Sequence, residues 1–154
     1  MKTSAVLTIV AGGLIAGTID IGQAYFFFGS RVPLGIAAAL IGKAGMQATP
    51  VAGAYVLGLV LHYIIATTWT AAYYAASRRL TFLTEHPVVC GLVYGLVVEC
   101  VMSYVVLPLS ALHATGPYEL HDVLLGLGVH MVTIGLPIAL TVSWLGRGTH
   151  AVPS

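Results

Sequence analysis

Four long apolar stretches limit what this chain can fold into more than any other feature of its sequence. They cover residues 5–28, 51–76, 88–112 and 123–145. Each stretch is long enough to cross the roughly 30 Å hydrocarbon core of a bilayer as an α-helix. A helix satisfies its own backbone hydrogen bonds, which lipid cannot do. The sequence therefore predicts an all-α, polytopic membrane protein with four transmembrane helices in a single domain, residues 1–154.

The composition supports the same class of protein. Hydrophobic residues make up 58% of the chain and charged residues 7%, whereas soluble domains carry about 25% charged residues. The net charge is +1, and without a basic stripe the chain is not expected to bind nucleic acid. We expect the lipid bilayer to be its main surrounding. The chain contains no nucleophile elbow, phosphate loop, HExxH or CxxCH motif, which favours a protein that is not an enzyme.

The connection between the first and second stretches has helical character of its own. Residues 33–45 are mostly apolar, begin with Pro33, follow Arg31 and include Lys43 near their end. Proline is favoured in the first turn of a helix. The segment is too short to cross a bilayer, so it predicts an interfacial or re-entrant helix.

Lysine and arginine residues predict the orientation in the membrane. Loops on the cytoplasmic side are enriched in these residues. The side that holds both termini would carry four of the six, namely Lys2, Arg78, Arg79 and Arg147. The opposite side would carry Arg31 and Lys43. We therefore predict a multi-pass protein with both termini in the cytoplasm.

A weak internal repeat divides the four stretches into two pairs. The first and third contain GLIAG at 13–17 and GLVYG at 91–95, followed by Asp20 and Glu99 respectively. The second and fourth contain GLVLH at 58–62 and GLGVH at 126–130. This pattern predicts a tandem repeat of two helical hairpins. Because small residues four apart allow helices to approach closely in lipid, we expect the first and third helices to meet, or one of them to form a homodimer contact.

Four ionisable residues lie inside the predicted spans, one in each: Asp20, His62, Glu99 and His130. A charge in the bilayer is costly, so such residues are often functional. We expect the four to form one polar cluster, and three functional interpretations are open. The cluster could move a proton, a metal ion or a small solute. It could bind zinc or another divalent metal for hydrolysis. His62 and His130 could also ligate a b-type haem for redox chemistry.

Structural interpretations compete with each of these. A histidine inside the membrane can simply form a hydrogen bond with a neighbouring helix. Asp20 could pair with Arg31 or Lys43 at the outer interface. Glu99 has no cation near it in the sequence, so we expect it to be protonated or paired with a histidine.

The predicted outer loop carries a second group of polar residues, His113, Glu119, His121 and Asp122. They fit a solvated loop in which Asp122 favours the N-terminus of the fourth helix. They also fit a metal entry site on the outer face.

Pro108 and Pro137 fall inside the third and fourth predicted helices. Proline removes the hydrogen bond to the carbonyl four residues earlier, which belongs to Tyr104 in one helix and Thr133 in the other. We expect a bend at each proline, and such bends can open a cavity between helices.

Four segments of the chain resemble a group of small four-helix bacterial inner-membrane proteins of the YagU-like kind. The segments are AGTIDI at 16–21, ASRRL at 76–80, SYVVLPLS at 103–110 and GLPIAL at 135–140. The resemblance covers nearly the whole chain and implies a four-helix fold in the cell inner membrane. It implies no activity. Glu99 departs from the pattern of that group, so the resemblance gives it no role.

The leading functional hypothesis from the sequence is movement of a small solute, metal ion or proton through the cluster of Asp20, His62, Glu99 and His130. A haem-binding or metal-binding membrane protein with redox or hydrolytic chemistry is the alternative. A third is an accessory or scaffolding subunit of a larger membrane complex. We also expect a homo-oligomer or a complex subunit, because four helices enclose little space alone.

Overall fold

The computed structural model describes residues 4–146, which form six helices and no strand. Lys2 and Arg147, which contribute to the predicted orientation, lie outside this range. The six helices are α1 (Ala5–Phe28), α2 (Val32–Ala48), α3 (Val51–Ser77), α4 (Phe82–Glu85), α5 (Pro87–Leu109) and α6 (Leu120–Gly146). By length and composition α1, α3, α5 and α6 can each cross a membrane. The predicted all-α, four-span membrane fold is therefore confirmed.

Helix α2 is the short apolar helix predicted between the first two spans. It bends at Gly42, whose backbone angles are φ 66° and ψ −177°. Glycine adopts a positive φ without steric cost. The carbonyl oxygen of Ala39 accepts a hydrogen bond from the backbone N–H of Ala111, at 2.8 Å. At its start, the backbone of Pro33 lies directly against Gly58 of α3. Helix α2 therefore packs on α3 and also touches the chain beyond the end of α5.

Neighbouring spans pack against each other in the order α3, α1, α6, α5. Helix α1 packs against α3 and α6, and α5 packs against α6. Over residues 4–146, α1 and α5 share no extensive contact. The expectation that the two glycine-containing helices meet each other is therefore wrong. Each one packs instead against the other helix of its own hairpin.

Glycine allows this close packing in both hairpins. A Cβ atom at Gly17 would lie 3.2 Å from the Cβ atom of Ala66 in α3. A Cβ atom at Gly95 would lie 2.7 Å from the carbonyl carbon of His130 in α6. In lipid, the hydrophobic effect does not drive helices together. Helix association therefore depends on such close approach. The same arrangement in both hairpins is what a tandem repeat requires.

Both proline-containing spans include a π-helical turn. These turns cover Met102–Val106 in α5 and Met131–Gly135 in α6, and each ends two residues before its proline. The proline ring would collide with the carbonyl four residues earlier in a regular α-helix. Widening the turn to an i→i+5 pattern relieves this clash. The backbone N–H of Leu107 accordingly donates to the carbonyl of Met102, and that of Leu136 donates to Met131.

The first prediction concerns the glycine contact between α5 and α6. Replacing Gly95 by alanine places a methyl group against the backbone of His130 and Met131. We expect a loss of about 1–3 kcal/mol in the free energy of unfolding, as for overpacking in a core. The measurement is denaturant unfolding of the purified protein in micelles, followed by circular dichroism.

Gly128→Ala is the matched control for Gly95→Ala. Gly128 is in α6, the helix against which Gly95 packs, and a Cβ atom at Gly128 has no neighbour within 4 Å. Alanine should leave stability unchanged or raise it by up to about 1 kcal/mol. Equal losses in both variants would show that the α5–α6 approach does not limit stability.

Candidate functional site

A cavity of about 710 Å³ lies between α2, α3 and α5. Its walls are mostly apolar and include Ile36, Leu61, Ile65 and Val105. Ligand sites in proteins have volumes of roughly 300–1,000 Å³, apolar walls and a few polar groups. The π-helical turn of α5 forms part of the wall, as the sequence suggested for a bent span. The cavity therefore has the size and lining of a small-molecule site.

Aromatic side chains bridge α3 and α5 beside this cavity. Trp69 lines the cavity, and the hydroxyl of Tyr94 donates to its backbone carbonyl at 2.7 Å. The ring of Tyr94 also meets the rings of Trp69 and Tyr73 edge to face, at 6.0 and 4.8 Å between centroids. Large side chains, rather than close backbone contact, therefore hold α3 and α5 together here.

The cavity opens to the surface of the helix bundle between α2 and α5. Leu40 of α2 and Leu109 of α5 both line it, and their side chains are 54% and 79% exposed. Both rim side chains are apolar, so the opening has an apolar edge.

Three of the four ionisable residues predicted from the sequence line this one cavity. Asp20 comes from α1, His62 from α3 and His130 from α6. Glu99 does not line the cavity, but it lies directly against His130. The fold thus brings together side chains from four spans, as the pattern of one ionisable residue per span suggested.

His62 occupies a buried face of α3 formed by every fourth residue. Ala54, Gly58, Ala66 and Thr70 are buried on the same face. The Nε2 atom of His62 forms a 2.8 Å hydrogen bond with the carbonyl oxygen of Gly17 in α1. Since a carbonyl can only accept, Nε2 carries the proton. His62 therefore joins two helices, in agreement with its structural interpretation, and still presents its ring to the cavity.

Asp20 contacts a hydroxyl group rather than a cation. The hydroxyl of Thr133 in α6 donates to Asp20 Oδ1 at 2.7 Å and also lies 3.0 Å from the carbonyl of Val129. In the described part of the chain, Asp20 forms no ion pair with Arg31 or Lys43. The expected pairing at the outer interface is therefore absent from this arrangement. The carboxylate remains part of the cavity floor.

Glu99 and His130 contact each other between α5 and α6. The Nδ1 atom of His130 lies 3.0 Å from Glu99 Oε2 and 3.0 Å from the carbonyl oxygen of Gly126. Ser103 donates to the other carboxylate oxygen at 2.8 Å. The side chains are 25% exposed for His130 and 14% for Glu99. The sequence analysis expected Glu99 to be protonated or paired with a histidine. For the second alternative, the structure supplies His130 as the histidine.

The four outer-loop candidates do not converge on one site. His121 and Asp122 face each other at 3.2 Å but are 82% and 72% exposed. His113 has a positive φ of 47° within the loop, and Glu119 directly precedes α6. Over residues 4–146, no three His, Cys, Asp or Glu side chains are grouped so that they could hold a metal ion. The metal sites predicted for the loop and the spans gain no support.

The haem hypothesis needs imidazole nitrogens that do not already form hydrogen bonds within the protein. His62 Nε2 is bound to Gly17, and His130 Nδ1 is bound to Glu99 and Gly126. Ligation by both histidines would therefore have to use His62 Nδ1 and His130 Nε2. This ligand pair stays a prediction.

Sequence reasoning missed several polar residues near the site. Ser103 was not named as a site residue and Thr133 was named only for its backbone carbonyl, although the hydroxyl of each hydrogen-bonds to a predicted acidic residue. The position of Thr133 four residues before Pro137 was the available signal. Gln23 lies three residues after Asp20, nearly one helical turn, and its buried Nε2 atom has no hydrogen-bond partner. Its spacing from Asp20 could have marked it.

Comparisons with protein-family models, with curated proteins and with solved structures found no match to this chain. The site is therefore interpreted from its own geometry.

The second prediction concerns the Glu99–His130 pair. A double-mutant cycle with Glu99→Gln and His130→Gln should give a coupling energy of about 1–3 kcal/mol, because the pair is in contact and largely shielded from solvent. The measurement is the free energy of unfolding in micelles.

The His121–Asp122 pair is the control in the same chain. Both side chains are mostly exposed, and the cycle with His121→Gln and Asp122→Asn should give at most about 0.5 kcal/mol. A Glu99–His130 coupling as small as this would mean that solvent reaches that pair freely.

Proposed function

We propose that this membrane protein binds and moves a small, largely apolar solute through the cavity between α2, α3 and α5. One observation carries the proposal, namely that a mostly apolar cavity has three ionisable residues in its lining. Apolar walls alone would be occupied by lipid chains. The polar floor gives the site a means of selecting solutes that also carry a polar or charged group.

The placement of the ionisable residues supports a functional role. Asp20, His62 and His130 each lie in a helix long enough to span the membrane, where ionisable side chains are costly. Residues needed only for packing could be apolar at no such cost. Their shared position on one cavity floor is what favours solute binding.

The hydrogen bonds favour solute binding over a proton relay made of side chains alone. Asp20 bonds to Thr133, whereas Glu99 bonds to His130 and Ser103. Within residues 4–146, no direct hydrogen bond joins these two groups. A solute in the cavity would lie beside both Asp20 and His130.

The third prediction tests whether the cavity admits solutes. In a background with Cys90→Ala and Cys100→Ala, the variant Ile65→Cys places a thiol in the cavity wall. We expect it to react with N-ethylmaleimide several-fold faster than Ile64→Cys. The reason is that the reactive thiolate forms only where water is present.

Ile64→Cys is matched in residue type and position along α3. Ile64 is 56% exposed and lies in a separate groove with Leu14 and Thr67, so its thiol would lie on the outer surface of the bundle. The measurement is the labelling rate in protein reconstituted into phosphatidylcholine vesicles. Equal rates for the two variants would remove the proposed solute site.

We also propose that the chain lies in the cell inner membrane with both termini in the cytoplasm, which is the fourth prediction. It places the 110–119 loop outside the cell membrane and the α3–α4 connection inside. In the cysteine-free background, an impermeant sulfonated maleimide should label His113→Cys in intact cells and leave Arg79→Cys unlabelled until lysis. The reverse labelling would invert the topology.

A further inference from the structure

We infer that the solute is a monovalent organic cation with an apolar body, and that Asp20 provides its counter-charge. This inference names the substrate class for the proposed site and therefore rests on the proposed function. It depends on the charge balance of the cavity, on an aromatic side chain in its wall, and on the absence of a metal-type ligand group.

The charge balance of the cavity leaves one carboxylate without a basic partner. Glu99 has His130 and Ser103 as direct partners. His62 donates its Nε2 proton to a backbone carbonyl. Asp20 has a hydroxyl partner in Thr133. No lysine or arginine from the described range lines the cavity.

A cation in the cavity would complete this balance. A carboxylate in a low-dielectric site attracts an opposite charge more strongly than it would in water. An anionic solute would meet the Asp20 carboxylate and be repelled. A neutral solute of the same shape would gain the apolar contacts but not the ionic one. The expected preference is therefore cationic over neutral, and neutral over anionic.

Trp69 also lies in the wall of this cavity, and its ring is held edge to face against that of Tyr94. Gly17 of α1 lies at the level of His62, and Gly13 lies at the level of Thr67. Trp69 is therefore about two helical turns from Asp20 along the bundle. The indole would contact the apolar body of a cation whose charged group lies at Asp20.

The lining favours an organic cation over a metal ion. Hard divalent cations need about six or more oxygen ligands, and softer ones prefer grouped nitrogen and sulfur ligands. Over residues 4–146, no group of three suitable side chains is present. The mostly apolar walls instead match the hydrocarbon part of an amphiphilic cation.

The experiment uses Trp69 as an internal reporter. The chain has two tryptophans, and Trp144 is 73% exposed and distant from the cavity lining. The variant Trp144→Phe therefore reports on the cavity alone. In phosphatidylcholine nanodiscs it is titrated with phenyltrimethylammonium, with tert-butylbenzene, which has carbon in place of the charged nitrogen, and with benzenesulfonate.

We expect phenyltrimethylammonium to change Trp69 fluorescence at a concentration about tenfold or more below that of tert-butylbenzene, and benzenesulfonate to have no effect. Adding Asp20→Asn should remove the advantage of the cation and leave tert-butylbenzene unaffected. Asp122→Asn, which changes an exposed aspartate in the first turn of α6, should leave all three titrations unchanged.

The outcomes separate this inference from the function on which it rests. If the cation and tert-butylbenzene bind equally, or if benzenesulfonate binds best, the cavity binds solutes and the inferred class is wrong. If none of the three alters Trp69 fluorescence, both proposals fail. The ranking of the three probes requires no Asp20 variant, so it decides the inference even if Asp20→Asn does not fold.

Discussion

The close approach of helix backbones at glycine is the contact on which the rest of this structure depends. Gly13 brings α1 against the backbone of Thr67 in α3, and Gly95 brings α5 against the backbone of α6. Because α1 also packs on α6, the four spans form a bundle in the order α3, α1, α6, α5. The rings of Trp69, Tyr73 and Tyr94 connect α5 back to α3. The cavity is the space that remains between them, and α2 covers part of it.

The two hairpins share their packing but differ in the parts that shape the cavity. The first hairpin contributes α2, which packs on α3 and bends at Gly42. The second contributes the π-helical turns before Pro108 and Pro137. Thr133 belongs to one of these turns and bonds Asp20 of the first hairpin. The two hairpins therefore contribute different segments to the candidate site.

Much of the fold was predictable because it depends on local composition. The four spans and the short helix after the first follow from apolar runs and their breaks, and their ends fall within about three residues of prediction. The meeting of α1 and α5 was wrongly expected, because a glycine motif identifies a contact surface but not its partner. The pairing of Asp20 with Thr133 depends on the register between α1 and α6. The cavity depends on the distance between α3 and α5. Neither quantity is encoded in one segment.

The chemistry of Asp20 is the strongest argument that the cavity does more than fill space. A carboxylate inside a membrane-spanning helix costs a few kcal/mol or more unless it is compensated. Thr133 offers one hydroxyl, which a neutral asparagine or serine at position 20 could bind equally well. Glu99, by contrast, has His130 and Ser103 as direct partners. None of the described contacts gives Asp20 a basic partner, and a cation entering the cavity is the simplest partner that would account for an acidic residue there.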